Sequence, residues 1–338
     1  MRAVSKKSVF ATATAPGKIN LFFAVGDVQP SGYHPVASLY AATSLVEEVT
    51  VREADEPGIS LSISLNPDSP LVELEAAGEF DVATIPLDER NLAWKAVVAV
   101  LERLELSLNE RGMAIHISKA VPVAGGMGGG SADAAAAMKA VNEFVVTAGW
   151  SERKLEFSEL VEIASHLGAD VPFALHGGVA VGEGKGDILT PLELPEDIAP
   201  LQLVMVLAPF GLSTPEVFAE LDRGRAMGEY ESHEVLAVPP GLLVALQGEL
   251  AEVNRAAEVA QWIANDLQEP ACALAPELRE WLRGSGLPGG TPPDGVLAGF
   301  VSGSGPTLGF LVDSVDTAKQ LVEAFAVARR RAVAVEVG

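Results

Sequence analysis

Apolar and β-branched residues gather on both sides of Pro16-Gly17, a pattern that predicts strand–turn–strand over residues 8–30. Leu39–Arg52 reads as a helix or a strand pair ending in the β-rich run Glu48-Val49-Thr50-Val51. Residues 53–88 are acidic and rich in Pro and Gly, and the alternation in Ile59–Leu65 predicts one edge strand there. Leu92, Val97, Val100, Leu101 and Leu104 recur at helical spacing, as do Leu160, Ile163, Ala164 and Leu167, with Gly168 a good stop. Ala114–Ile117 alternates like a strand, and Leu201–Leu207 reads as a buried one. The stretches 223–240 and 284–295 carry the Gly and Pro of connections. Val296–Val301 and Leu308–Val312 read as paired strands around a turn, Thr317–Arg331 as a helix and Ala332–Val337 as a last strand. Strands and helices alternate without a regular βαβ period, so the fold class expected is α+β.

Composition bounds the chemistry. The 338 residues, 49% of them hydrophobic and 20% charged, suffice for a large core split over two domains. The longest apolar runs, such as Ala96–Leu101 and Leu203–Ala208, have the length of core elements and fall far short of a membrane span. Lys6 and Lys7 precede Ser8–Ala15, which is too short and polar for a secretion signal. A single cysteine, Cys272, excludes an internal disulfide or a cysteine-cluster metal site and points to the cytoplasm. The net charge of −23 argues against a nucleic-acid partner. A small phosphorylated ligand is still allowed, provided local donors and Mg²⁺ offset the field.

The strongest chemical signal is Pro122-Val-Ala-Gly-Gly-Met-Gly-Gly-Gly-Ser131-Ala-Asp133. Dense glycine lets a backbone turn and approach a ligand closely. Ser131 is a natural N-cap, Asp133 falls in the first turn, and the Ala-rich helix from Ala132 to about Val146 follows. A glycine loop feeding a helix N-terminus aims several N–H donors and the positive dipole end at one spot, which is a phosphate site. No Gly-Lys-Ser/Thr follows, so it is not a Walker loop, and the glycines are too dense for a dinucleotide fingerprint. Lys18 and Asn20, two apart in a β-like segment, point to one side. Asp170 lies between the stop at Gly168 and Pro172, Gly32-Tyr33-His34 sits in a turn, and Val301–Thr307 forms a second glycine turn. Taken alone, Lys18, Asp170 and Gly32–His34 read better as ordinary surface or capping features, and 301–307 has a plain hairpin loop as its alternative.

Taken in order, the segments 15–21, 122–133 and 301–307 resemble the three signatures of the GHMP kinase superfamily. Lys18-x-Asn20-Leu21, Gly32–His34, the glycines Gly128–Gly130 before Ser131, and Ala169–Phe173 resemble the branch that phosphorylates a cytidine-diphosphate methylerythritol. The similarity spans nearly the whole chain apart from residues 53–88, 223–240 and 284–295. It implies the two-domain GHMP kinase fold: a ribosomal-protein-S5-domain-2-like ATP-binding domain over 1–180 and a ferredoxin-like substrate domain over 181–338. The activity implied is transfer of the γ-phosphoryl group of ATP to the 2-hydroxyl of 4-diphosphocytidyl-2-C-methyl-D-erythritol, in the non-mevalonate isoprenoid route. ATP and Mg²⁺ are the implied co-substrate and cofactor, and a monomer and a homodimer both stay open.

The resemblance also implies residue roles. Asp170 accepts the hydroxyl proton, or chiefly orients the acceptor. Lys18 holds Asp170 ionised and stabilises the transferring phosphoryl. Pro122, Val123, Ala124, Gly125, Gly126, Met127, Gly128, Gly129, Gly130 and Ser131 cradle the ATP phosphates, and Asn91 and Lys119 reach the adenosine. Asn20 bonds near the acceptor, Tyr33 and Phe218 sandwich cytosine, His34 reads its polar edge, and Tyr40 and Thr214 line the substrate pocket. Met127 stands where Leu is usual, and Ala132 where the branch commonly has a second Ser, which leaves the protein ligands of Mg²⁺ open. His116, His166, His176 and His233 lack metal-ligand spacing and are expected to be structural. Two other readings compete: a homoserine or mevalonate kinase, against which Gly-Tyr-His argues, and a non-catalytic sensor, against which Lys18 and Asp170 argue.

Overall fold

The computed structural model describes residues 9–109, 111–122, 125–233, 235–248 and 254–338. The expected Val123 and Ala124 contacts lie outside the described residues. In chain order the elements are β1 (Phe10–Val25), β2 (Val36–Ala54), β3 (Gly58–Leu65), α1 (Pro70–Ala76), α2 (Leu92–Arg103), β4 (Gly112–Lys119), α3 (Gly129–Thr147), α4 (Phe157–Leu167) and α5 (Val171–His176). They continue with β5 (Val179–Glu183), β6 (Ile188–Leu192), β7 (Leu201–Leu207), α6 (Thr214–Ala226), α7 (Pro240–Gln247), α8 (Arg255–Ala260), β8 (Ala264–Asn265), α9 (Gln268–Leu274), α10 (Pro276–Leu282), β9 (Val296–Val301), β10 (Leu308–Val312), α11 (Val315–Val327) and β11 (Arg331–Val337).

These elements form two compact units, neither of them contiguous in sequence. Of the described residues, the first holds those within 9–16, 46–121 and 129–175, and the second those within 17–45, 122–128 and 176–338. The expectation of successive segments 1–180 and 181–338 treats each strand as belonging to one domain. Here β1 and β2 are long enough to contribute residues to both.

In the first unit, β4 pairs antiparallel with β2 and parallel with β3, which forms the edge strand expected at 59–65. The core places Val49, Val51, Ile115 and Ile117 of the sheet against Ala96, Val97 and Val100 of α2 and the apolar face of α3. The alanines Ala134 to Ala137 are all fully buried. Small side chains there let α3 pack closely among its neighbours while keeping high helix propensity. Asn91 starts α2 by accepting the Ala93 N–H at 2.9 Å, and Glu156 and Glu159 form a capping box on α4.

In the second unit, β7 pairs antiparallel with β10 and β11, and β10 with β9 as the expected hairpin. The Val204 and Val206 face of β7 packs on Leu321 and Phe325 of α11 and on Val217 and Leu221 of α6.

Three local expectations change. Residues 10–25 make one strand, with Pro16-Gly17 inside it and no turn. Leu39–Arg52 is a single strand within β2, its two-faced burial having imitated a helix. Part of 223–240 is helical, because α6 runs to Ala226. Among the described residues, no helix is long and apolar enough to cross a membrane.

Candidate active site

The second unit gathers three of the motifs. Along β1, Ile19 and Leu21 are fully buried, and Lys18 and Asn20 alternate with them on the other face. That face is covered too: Lys18 is 7% exposed and Asn20 1%. Burying a cation and an amide is costly unless they are hydrogen-bonded, and here they form a chain. Lys18 Nζ donates to Asn20 Oδ1 at 2.9 Å, Asn20 Nδ2 donates to Ser38 Oγ at 2.7 Å, and Ser38 Oγ donates to the Phe22 carbonyl at 3.1 Å. The chain fixes which way the Asn20 amide faces and where the ammonium points. Ser38 has no sequence signal of its own; its role follows only from the pairing of distant strands. The Lys18 ammonium also lies 5.7 Å from the centroid of the buried Tyr40 ring.

The glycine loop meets this strand through its backbone: the Lys18 N–H donates to the Met127 carbonyl at 2.9 Å. A Cβ on Gly126 would come 2.7 Å from the Ser302 carbonyl oxygen, and one on Gly125 2.6 Å from Thr307 Oγ1. The loop is therefore pressed on the 301–307 turn, and glycine is needed for the approach; Gly126 also has φ +76. A Cβ on Gly303 would sit 3.1 Å from Asn20 Oδ1 and 3.6 Å from Lys18 Nζ. Asn265 Nδ2 holds that turn by donating to the Val301 and Gly303 carbonyls, each at 2.7 Å. Ser304 and Thr214 share a hydroxyl–hydroxyl bond of 2.8 Å. Asn265, Gly303 and Ser304 were not among the expected site residues, although Gly303 and Ser304 belong to the recognised third signature.

The helix after the loop begins earlier than expected. α3 starts at Gly129, so Ser131 is its third residue and is not an N-cap, and Asp133 lies in the second turn. The glycines carry the chain straight into helical geometry, and Gly128 at φ +69 precedes the start. Gly129, Gly130 and Ser131 thus supply first-turn N–H groups, which have no partner within a helix.

Tyr33, His34 and Phe218 also belong to the second unit. His34 is nearly buried, its Nε2 lies 2.8 Å from Asp222 Oδ1, and its ring centroid is 5.0 Å from that of Phe218. Phe218 and Asp222 are one helical turn apart on α6, so both face His34. Asp222 was missed, although its i+4 spacing from Phe218 was visible. Tyr33 is 56% exposed, with the Lys185 ammonium 3.7 Å above its ring.

The first unit holds the remaining candidates. Asp170 is half-buried directly before α5, where its carbonyl accepts the Ala174 N–H at 3.1 Å. Asn91 is 6% exposed and uses its amide twice, capping α2 and donating to the Pro86 carbonyl at 2.8 Å. Lys119 is 1% exposed, and its ammonium lies between Glu47 and Asp133. Burial works to lower its pKa, but the two carboxylates more than offset this and hold it above the ordinary lysine value. The side chains of Asn91 and Lys119 thus both have partners inside the fold.

Among the described residues, no three His, Cys, Asp or Glu side chains could together hold a metal ion. His116 is held by Ser62 and Ser64, and His233 by Asp266.

Comparison with known proteins identifies the family. The profile of the GHMP kinases N-terminal domain matches residues 91–178, and that of the GHMP kinases C-terminal domain matches 242–328. A 4-diphosphocytidyl-2-C-methyl-D-erythritol kinase from Pseudarthrobacter chlorophenolicus is 44% identical over 91% of this chain and 87% of its own length. A crystal structure of 4-(cytidine 5'-diphospho)-2C-methyl-D-erythritol kinase superposes with a TM-score of 0.64 at 29% identity, covering 97% of this chain and 99% of that one. A homoserine kinase from Cytophaga hutchinsonii shares the fold with a TM-score of 0.62 at 18% identity, covering 99% of this chain and 96% of its own.

Proposed function

The chain belongs to the GHMP kinases, in the branch of the 4-diphosphocytidyl-2-C-methyl-D-erythritol kinases, and from that premise we infer its reaction. It transfers the γ-phosphoryl group of ATP to the 2-hydroxyl of 4-diphosphocytidyl-2-C-methyl-D-erythritol, a step toward isoprenoid precursors. The observation that carries the chemistry is the convergence in one unit of Lys18 and Asn20, the glycine loop and the 301–307 turn. A preset ammonium beside a glycine-rich backbone suits a transferring phosphoryl group. The identity of the acceptor is supported by the relatives and by the His34–Phe218 ring contact, with Tyr33 next to His34 in sequence.

Phosphoryl transfer asks the protein for alignment and charge neutralisation more than for covalent chemistry. In our reading the N–H groups of residues 125–131 hold the nucleotide phosphates. Mg²⁺ enters with ATP and offsets charge on the β- and γ-oxygens. Lys18, aimed by the Asn20–Ser38 chain, offsets the charge that spreads onto the γ-oxygens in the transition state. Asp170 orients the acceptor hydroxyl and receives its proton late, because a loose transition state demands little early deprotonation. Phe218 and Tyr33 offer aromatic faces to the cytosine, with His34, steadied by Asp222, at its edge. Nucleotide binding falls mainly to residues before about 180 and acceptor binding to those after, with Tyr33 and His34 as the N-terminal contribution. We place the reaction in the cytoplasm, consistent with a lone, buried Cys272.

An ATP-consumption assay over cytidine-diphosphate methylerythritol, homoserine and mevalonate tests the reading. Turnover with the first acceptor alone supports it, and preference for either of the others overturns the substrate assignment.

A further inference from the structure

The glycine loop is tied at both ends to one buried ammonium. On the entering side, Lys119 Nζ donates to Glu47 Oε1 at 2.5 Å, and Glu47 also accepts the N–H groups of Ala120 at 2.9 Å and Val121 at 3.1 Å. Ser69 Oγ donates to the Ala120 carbonyl at 2.9 Å. Every residue from Lys119 to Val121 is therefore held just before Pro122 opens the loop. On the leaving side, Lys119 Nζ donates to Asp133 Oδ2 at 2.8 Å, and Asp133 stands on α3 directly after the loop. The three side chains are 0%, 1% and 5% exposed for Glu47, Lys119 and Asp133.

Well-packed apolar residues would serve stability as well as such a buried triad, so its charges call for another use. What they add is direction. Glu47 accepts three N–H bonds on two oxygens, which a carboxylate can do and a neutral amide cannot, since its NH₂ would meet at least one donor. We propose that Glu47 and Asp133 are positioning residues that set the two ends of the phosphate loop through Lys119. The proposal rests on reading that loop as the ATP phosphate site.

The triad also carries a proton. Two carboxylates share one ammonium in a dry site, and Asp133 Oδ1 has no partner among the described residues. Crowding two carboxyls against one ammonium drives them toward the protonated form, and the three N–H donors make Glu47 the better-satisfied anion of the two. The charges acting on the site come from the elements that build it: Glu47 from β2, Lys119 from β4 and Asp133 from α3. Burial, then the charge of Asp133, raises the Glu47 pKa to about 7 against the pull of Lys119; burial raises that of Asp133 too. Loss of the shared proton sets two anions against one cation and loosens the clamp as the pH rises.

The test is ATP affinity by calorimetry from pH 6 to 9 for wild type, Asp133→Asn and Glu47→Gln, with kcat alongside. Asp133→Asn keeps size and an acceptor for Lys119 but removes one of the two crowded carboxyls, so its affinity should vary less with pH than wild type, by roughly tenfold at the alkaline end. The same comparison cancels the protonation of ATP itself. Glu47→Gln should raise the ATP Kd at least about tenfold with kcat changed much less, as a positioning role requires. If Asp133→Asn tracks wild type across the range and folded Glu47→Gln binds ATP normally, the proposal is overturned. If Glu47→Gln fails to fold, Asp133→Asn decides alone. If wild type binds no ATP, it is the kinase reading that fails. Hydrogen exchange of residues 119–131 without nucleotide then decides the clamp: faster exchange in the variants supports it, and unchanged exchange refutes it.

Discussion

Gly130→Ala separates a phosphate cradle from a plain turn, because the structure sets the two effects in opposite directions. Gly130 is the second residue of α3 and is exposed, and a Cβ there meets nothing within 4 Å. Its φ is not in the left-handed region. Alanine in place of helical glycine should stabilise the fold by about 0.5–1 kcal/mol, at the lower end for a terminal turn. For a chain this large the melting temperature should rise by about 1–2 °C. The same methyl occupies the space in which a phosphate oxygen would approach the N–H groups at the start of α3. ATP should then bind at least about tenfold more weakly, a loss near 1.4 kcal/mol. Gly126→Ala is the contrast: φ +76 and a Ser302 carbonyl oxygen 2.7 Å from the new Cβ. The left-handed backbone alone costs about 1–2 kcal/mol, so this variant should lose both stability and ATP binding. Calorimetric unfolding and ATP titration of both variants supply the four numbers. A stabilised Gly130→Ala that binds ATP as tightly as wild type would refute the cradle.

Asp170→Asn should lower kcat by at least about a hundredfold with ATP affinity little changed, measured by steady-state kinetics and titration. Tyr33→Ala or Phe218→Ala should raise the acceptor KM roughly ten- to a hundredfold if each stacks on the base. Repeating the measurement with an acceptor lacking the cytidine should erase most of that loss; additive losses would make these rings packing residues. Stability should fall as the pH rises from about 4.5 to about 7 and level off above, since the folded state keeps a Glu47–Asp133 proton that the unfolded chain releases. The size of that loss is on the order of 3 kcal/mol, and denaturant titrations of Asp133→Asn should show a flatter curve.

What the sequence revealed depended on the range of the interaction. The helices at 91–104 and 157–167 and the hairpin at 296–312 carry their period and their stops locally, and they were legible. β1 and β2 were not, because residues with both faces buried lose the alternation that marks a strand. Lys18, Asn20 and the glycine loop were readable as motifs, since phosphate chemistry demands those residue types at short spacing. Ser38 and Asn265 were silent, and Asp222 showed only its spacing from Phe218: each takes its place when strands or helices distant in sequence come together. The partners of Lys119 were not legible, because Glu47 and Asp133 reach it only when β2, β4 and α3 come together. Asp133, read as a first-turn residue, lies in the second turn because α3 begins at Gly129.

The central claim is phosphorylation of a tertiary hydroxyl, and phosphorus NMR of the product tests it directly. The enzyme is incubated with MgATP and 4-diphosphocytidyl-2-C-methyl-D-erythritol, and the new monoester resonance is recorded with proton coupling. A phosphate on the 2-hydroxyl sits on a carbon that bears no hydrogen, so its signal should be an unsplit line growing in step with ADP. A doublet or triplet would place the phosphate on a secondary or primary hydroxyl, and ADP formation without any new monoester would mean no transfer at all. Either result would contradict the account.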